Sequence, residues 1–226
     1  MSSYCTPAEL RTQIGKTGTT GDASDAALRL IIEAVSNSID GFCNRVDGFV
    51  AGPFATTRVY SGDGSATIRI DECVAITTVS AKDSATDSTY TAWASTDWIP
   101  FTGSPDQPDF NSLPYTGLMT DPNGDYSSFT GGQFSGRRGF RPIAGLSRSV
   151  PTVRVVARWG YGLDAPPVVR QATIALAARW FKEGQGAWSD TLASADFGQL
   201  IYKAQNADIK FMLENARLLK PALGTR

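Results

Sequence analysis

The sequence predicts an α+β protein: a helical bundle carrying an inserted antiparallel β-sheet region and a long loop. Three observations carry this. Apolar residues recur at helical spacing towards both ends of the chain, the period drops to two between residues 53 and 98, and residues 99–150 are dense in proline and glycine. The expected parts are residues 1–52, the N-terminal helices; residues 53–159, the β region with its loop at 99–150; and residues 160–226, the helices that complete the bundle. At 226 residues the chain fits a domain with a large insertion and buries a core without disulfide staples.

Thr6-Pro7-Ala8-Glu9 reads as a capping box with proline at the first helical position, and Gly15 ends this short helix. A second helix is expected from near Asp22 to near Asn44, with acids at the positive end of its dipole and Leu28, Ile31, Ile32, Val35, Ile39 and Phe42 along one side. Residues 54–60 and 66–70 flank Ser61-Gly62-Asp63-Gly64 as a hairpin, and residues 74–80 and 88–93 flank a polar turn as a second. The 99–150 stretch holds six of the twelve prolines, eight glycines and seven aromatics, so no regular element is expected there. So many aromatics argue against a solvated linker: the loop is either ordered by a neighbouring molecule or packed as a cover on its own sheet.

Val153, Val155 and Ala157 alternate with Arg154, Val156 and Arg158 as a strand closing the inserted sheet. After Gly160-Tyr161-Gly162, Asp164 is expected to cap a helix with Pro166 and Pro167 in its opening turn. Its Val168, Val169, Ala172, Ala175, Leu176 and Trp180 return to the N-terminal helices. Residues 183–198 read as a flexible connector, and a last helix is expected from about Gln199 to Leu219. Lys203, Lys210 and Arg217 recur along it every seven residues, beside two apolar groups. Two groups fit two neighbours, one of them another chain; a helix at the centre of its own bundle fits equally.

The chemistry is limited by what is missing. There is no histidine, which removes Ser–His and Cys–His nucleophile systems and the commonest metal ligand. The three cysteines are Cys5, Cys43 and Cys73; an odd number without a CxxC spacing reads as packed, reduced thiols. No phosphate-binding glycine loop is present, Gly62-Asp63-Gly64 falls far short of a calcium loop, and adjacent Asp71 and Glu72 point to opposite faces of a strand. No catalytic, cofactor-binding or metal-ligating residue is expected, and no enzymatic activity. A net charge of −1 argues against a protein that coats nucleic acid by bulk charge. No apolar run is long enough to span a membrane, and the opening residues do not read as a signal peptide.

The charges are sorted along the chain. Residues 83–125 carry seven acids and no base, whereas residues 126–163 carry six arginines and no acid. One reading is head-to-tail contact between copies, Asp106, Asp109, Asp121 and Asp125 of one meeting Arg137, Arg138, Arg141 and Arg148 of the next, in an interface that closes into a ring if the rotation allows. The other is pairing within one chain.

The order of these patterns resembles the tailed-bacteriophage head-to-tail connector family, also called adaptors or head completion proteins. The residues that carry the resemblance are TPAELRTQI at 6–14, DASDAALRLIIEAVSNSIDGFCNR at 22–45, RVYSGDGSATIRIDECVAITTVSAKD at 58–83 and VRVVARWGYGLDAPPVVRQATIALAARWFK at 153–182. The resemblance implies a structural protein of the virion neck, made in the host cytoplasm. It implies a homo-oligomeric ring, of twelve copies, between the portal protein and a stopper or tail-completion protein. Double-stranded DNA would pass non-specifically through its channel. By the same analogy the last helix contacts the portal, through Lys203, Ile209, Lys210, Phe211, Met212, Leu213, Arg217 and Leu218. A different reading, from Trp93, Trp98 and the aromatic loop, is a carbohydrate-binding or adhesive β module of a virion.

Overall fold

The structure, a computed structural model, describes residues 3–15, 24–131, 150–185, 191–193, 200–202 and 207–220. Its elements in chain order are α1 (Pro7–Ile14), α2 (Asp25–Phe42), β1 (Thr56–Tyr60), β2 (Thr67–Ala81), β3 (Thr91–Ala92), β4 (Trp98–Ser104), β5 (Gln107–Asp109), β6 (Tyr115–Thr120), β7 (Val153–Trp159), α3 (Pro167–Gln185), β8 (Thr191–Ala193), β9 (Leu200–Tyr202) and α4 (Ala207–Asn215). The fold is α+β, with β1 to β7 in one antiparallel sheet. The chain divides into two compact units, Met1–Phe49 with Asp164–Arg226, and Val50–Leu163.

In the helical unit α3 packs on α1, α2 and α4. The capping box of α1 forms as predicted: the Thr6 hydroxyl accepts the Glu9 N–H at 3.3 Å, and the Glu9 carboxylate accepts the Thr6 N–H at 2.8 Å. Gly15, at φ 72°, closes the helix in the left-handed conformation that glycine tolerates. α2 starts at Asp25, capped from within the expected Asp-Ala-Ser-Asp stretch by Ser24, whose hydroxyl accepts the Ala27 N–H at 3.4 Å. Leu28, Ile32, Val35 and Ile39 are buried, as the apolar spacing requires, while Phe42 is exposed. In α3 the Pro166 carbonyl accepts the first helical N–H, from Arg170 at 3.0 Å, so Asp164 lies two residues short of the capping position and is exposed. Val169, Ala172, Leu176 and Ala177 form its buried face.

The last helix is shorter than the sequence predicts. Leu200–Tyr202, expected to be helical, form β9 and pair with β8, which lies in the stretch expected to be connector. A short Leu-Ile-Tyr run satisfies either period, and the presence of a partner segment decides it.

The sheet runs β1-β7-β2-β6-β4-β5, with β3 on β2. The hairpin expected across Ser61–Gly64 does not form: β1 pairs with β7, from Thr56 opposite Ala157 to Tyr60 opposite Val153. The reason is burial. β7 turns Val153, Val155, Ala157 and Trp159 into the core and needs neighbours on both edges, whereas β1 is mostly exposed and suits a margin. The hairpin of β2 and β3 does form, with Ser80 opposite Ala92. β2 is one 15-residue strand that takes β6 along its first half and β7 along its second, with register shifts where it changes partner.

The expectation that residues 99–150 hold no regular element is also overturned, because β4, β5 and β6 lie largely within them. The prolines sit where no ladder N–H is required: Pro108 is on the edge strand β5, and Pro100 lies where β4 is paired only to β6. Of the described aromatics, Phe101 and Phe129 are buried and Tyr115 and Tyr126 pack against the sheet's own core, while Phe110 is exposed. Trp93 stacks on Tyr126 at 4.3 Å and on Phe129 at 5.0 Å, and the buried Phe101 ring lies so close over Gly117 that a Cβ there would come within 2.4 Å of it. Phe134 and Phe140 lie outside the described residues. The chain enters and leaves this unit at one place: the Ala51 N–H donates to the Gly162 carbonyl at 2.8 Å, and the Gly52 N–H to that of Trp159 at 3.3 Å.

Candidate interaction surfaces

α4 is held by its neighbours before it is available to anyone else. Arg179 on α3 grips Asp208 with both guanidinium nitrogens, Nη1 to Oδ1 at 2.9 Å, and this hydrogen bonding holds the Asp208 carboxyl below its ordinary range. Ile209, Leu213 and Leu218 are buried in the helical unit and Met212 is partly so, while Lys210, Phe211 and Arg217 are exposed. The residues named by analogy for portal contact therefore divide into an inner stripe and an outer set; Lys203 lies outside the described residues. Beside the outer set, Ser38, Ile39 and Phe42 of α2, Leu176 of α3 and Ile209, Lys210 and Leu213 of α4 line an open groove of about 370 Å³. Phe211 is 63% exposed.

The four acids named for contact between copies do not form one patch. Asp106 and Asp109 are exposed at the β4–β5 turn and the end of β5. The hydroxyl of Ser112 and the N–H of Asn111 both bond the Asp109 carboxylate and lower its pKa. Asp121 and Asp125 lie at the opposite end of β4, in a turn wrapped on the buried Asp97. That residue accepts the N–H groups of Asp121 at 2.9 Å, of Asp125 at 3.2 Å and of Ala94 at 2.9 Å. No described cation forms an ion pair with any of the four. Arg137, Arg138, Arg141 and Arg148 lie outside the described residues. The described arginines of the basic block are engaged in their own sheet: Arg154 over the Tyr90 ring at 4.0 Å, Arg158 on the Gly52 carbonyl at 3.1 Å.

Among the described residues no group of three His, Cys, Asp or Glu is placed to hold a metal, and no described helix is long and apolar enough to cross a membrane. Cys5, Cys43 and Cys73 are buried free thiols, and burial pushes their pKa values up to about 11, 11 and 12.

No protein-family model and no curated protein matches the chain. Among solved structures it is similar to a chain from the neck of an empty GTA particle computed with C6 symmetry, with a TM-score of 0.52 and 15% identity over 100% of this chain and 96% of that one. The likeness is one of fold, and it extends over the helical and the sheet units alike.

Sequence reasoning missed two features of these surfaces. Phe42 carries the helical spacing of a core residue yet lines the groove. Phe54 and Val59 read as ordinary strand residues, yet they are 80% and 52% exposed because β1 is a sheet margin. Only the pairing partner of β1 could have revealed that.

Proposed function

We propose that this chain is a structural component of a phage-like virion neck: an adaptor whose copies form a ring that docks on the portal, links it to a stopper or tail and lets DNA pass. The observation that supports this most is the likeness of fold, over the whole chain, to a protein of a particle neck. The order of sequence patterns typical of head-to-tail connectors points the same way. Twelve copies are a multiple of the six-fold symmetry in which that neck was computed.

In this reading residues 1–52 and 160–226 make the body of the ring and residues 53–159 the inserted sheet. Portal contact falls to the outer set on α4, with Lys203 before it, while Ile209, Leu213 and Leu218 hold the helix in place from beneath. The carbohydrate-binding alternative loses its main support, because Trp93 is sealed in a stack with Tyr126 and Phe129 and presents no platform to a sugar.

The test is to mix the purified full chain with the portal of the same particle and image the product by electron microscopy. A ring seated on the portal is expected. A chain that remains monomeric and unbound overturns the proposal.

A further inference from the structure

The outward face of β1, β7 and β2 gathers positive charge with no carboxylate on it. In β7, Val153, Val155, Ala157 and Trp159 turn into the core, so Arg154, Val156 and Arg158 point the other way. The register sets their neighbours on that side. Thr57 and Val59 of β1 lie opposite Val156 and Arg154, and Thr78 and Ser80 of β2 lie opposite the same two. β1 and β7 hold no acid, and neither does β2 from Cys73 to its end. Lys82 follows directly. Its backbone N–H donates to the Thr152 carbonyl at 2.9 Å, which continues the pairing with β7 and adds Lys82 to this row.

One aromatic ring holds two of these cations. The Arg154 guanidinium lies 4.0 Å from the centre of the Tyr90 ring and the Lys82 ammonium 5.1 Å from it, so the two charges are within about 9 Å of each other. Salt at physiological strength screens charge over ~8 Å, so the two still repel. The Tyr90 hydroxyl donates to the Pro151 carbonyl at 3.0 Å, which fixes the ring. Neither cation forms an ion pair among the described residues. The acids nearest in sequence, Asp83 and Asp87, leave them alone, and Asp87 accepts the Ser84 N–H at 2.7 Å instead. Contact with the ring takes the flat face of the Arg154 guanidinium and leaves its N–H edge open. Arg158 uses Nε on the Gly52 carbonyl at 3.1 Å and keeps both terminal nitrogens unbonded.

Like charges fixed on one ring call for an anion, and the face decides which. A protein partner is anchored by large apolar or aromatic side chains, and the only large apolar side chain exposed on these three strands is Val59. The cations form a row instead. Arg154 and Arg158 stand four strand residues apart, roughly 13 Å at ~3.3 Å per residue, with Lys82 beyond Arg154. The hydroxyls of Thr57 and Thr78 flank Val156 between the two arginines. Guanidinium edges, an ammonium and hydroxyls are the groups that meet phosphate oxygens on a nucleic-acid backbone, and a row of them suits a charge that repeats.

We infer that this face binds the phosphate backbone of double-stranded DNA through Lys82, Arg154 and Arg158, without regard to sequence. Three cations make the contact weak and salt-dependent, which suits a duplex that slides over the surface. The chain's net charge of −1 does not oppose this, because the field that DNA meets is that of the face. The choice of duplex DNA among nucleic acids rests on the neck reading above; the phosphate chemistry rests on the face alone.

The test titrates the full-length chain into a fluorescein-labelled DNA duplex of mixed sequence and reads anisotropy at several salt concentrations. Binding is expected in about 50 mM salt, with log affinity falling on log salt at a slope of about −3. Lys82→Gln with Arg154→Gln is expected to weaken binding about tenfold or more and to reduce the slope by about 2. Lys82→Gln alone, which disturbs the sheet least, should reduce the slope by about 1. Arg29→Gln with Lys182→Gln removes two exposed cations from the helical unit and should leave binding as it is. Thermal melting checks that each variant is folded. Unimpaired binding by the Lys82 variants, or an equal loss in the helical-unit variant, overturns the inference. So does a wild-type chain that binds no DNA, or one from which poly-glutamate displaces the duplex as well as unlabelled DNA does. All four outcomes leave the ring reading standing, since that depends on imaging the chain with the portal.

Discussion

The Arg45 side chain donates both Nε and Nη2 to the Leu218 carbonyl, at 3.1 and 2.9 Å, across 173 residues of sequence. The guanidinium is buried and lies 4.7 Å from the centre of the Phe49 ring. α4 has ended by then: Arg217 takes a left-handed φ of 54°, and the Leu218 N–H reaches back to Leu213 at 3.3 Å. Arg45 thus works as a distant cap for α4. It is seconded by Asn44 Nδ2 on the Lys220 carbonyl at 3.0 Å and by the Lys220 N–H on Cys43 at 3.0 Å. Replacing Arg45 by Met keeps the apolar stem and leaves a carbonyl unsatisfied. The helical unit should lose about 2 kcal/mol, the scale of a hydrogen bond to a charged group. Chemical denaturation followed by circular dichroism reads this, and a loss under about 0.5 kcal/mol would show the clamp to be idle.

Gly160 has φ 144°, a conformation that L side chains rarely adopt, and a Cβ there would lie 2.5 Å from the Ala51 Cα. Its N–H also donates to the Glu72 carbonyl at 2.9 Å, so the backbone cannot swing away without loss. Gly160→Ala should destabilise the sheet unit by about 3 kcal/mol, from strained backbone plus a clash with another backbone segment. Gly41→Ala is the control, since nothing stands within 4 Å of its would-be Cβ. Equal melting temperatures for the two variants would refute the argument.

The three thiols are buried, and their raised pKa values leave almost no thiolate at neutral pH. Ellman's reagent should label none of them at pH 8 in the native chain within the time that it labels all three in denaturant. Fast labelling of any one would mean that its unit opens readily.

Much of this fold can be read from single residues, and what cannot be read has a common cause. Thr6, Pro7 and Glu9 announced α1 because a capping box is local chemistry. The buried stripe of α2 and the alternation of β7 were equally plain. The partner of β1 was not, because pairing with β7 is decided by what lies on both sides of Val153–Trp159, which no local pattern records. β4, β5 and β6 were hidden by prolines that turn out to lie on a margin or beside one. Of the surfaces, the charge blocks were legible but their geometry was not: Asp121 and Asp125 serve a turn around Asp97, while Asp106 and Asp109 are exposed at the other end of β4, the latter bonded by Ser112 and Asn111.

Glu9 links helices as well as capping one. The Thr6 N–H lowers its pKa most, and Arg170 on α3, which forms an ion pair with it, lowers it further. A carboxylate whose folded pKa is depressed contributes stability above its unfolded pKa, and that contribution disappears as pH falls through the folded value. Glu9→Gln should therefore leave a shallower loss of stability between neutral pH and the acid side of the carboxylate range. Identical slopes for wild type and variant, measured by melting temperature against pH, would assign the acid sensitivity elsewhere.

Phe211 separates the two roles that α4 was expected to have. Its neighbours on the inner stripe, Ile209 and Leu213, are buried, so substituting either disturbs the helical unit itself. Phe211 projects outward beside the groove and touches little of its own chain, and a charge placed there meets water in the free protein. Phe211→Asp should keep the melting temperature within about 2 °C of wild type, as a surface change does. Bound to a portal, the same carboxylate would be forced out of water against an apolar partner, and docking should weaken at least tenfold, about 1.4 kcal/mol or more. The comparison that decides it sets portal binding of Phe211→Asp against that of Leu30→Asp, an exposed α2 residue outside the groove lining. Loss of docking in the first alone assigns the portal face to α4. Equal docking by both variants removes that assignment, and a collapsed melt in Phe211→Asp returns the residue to the core of its own unit.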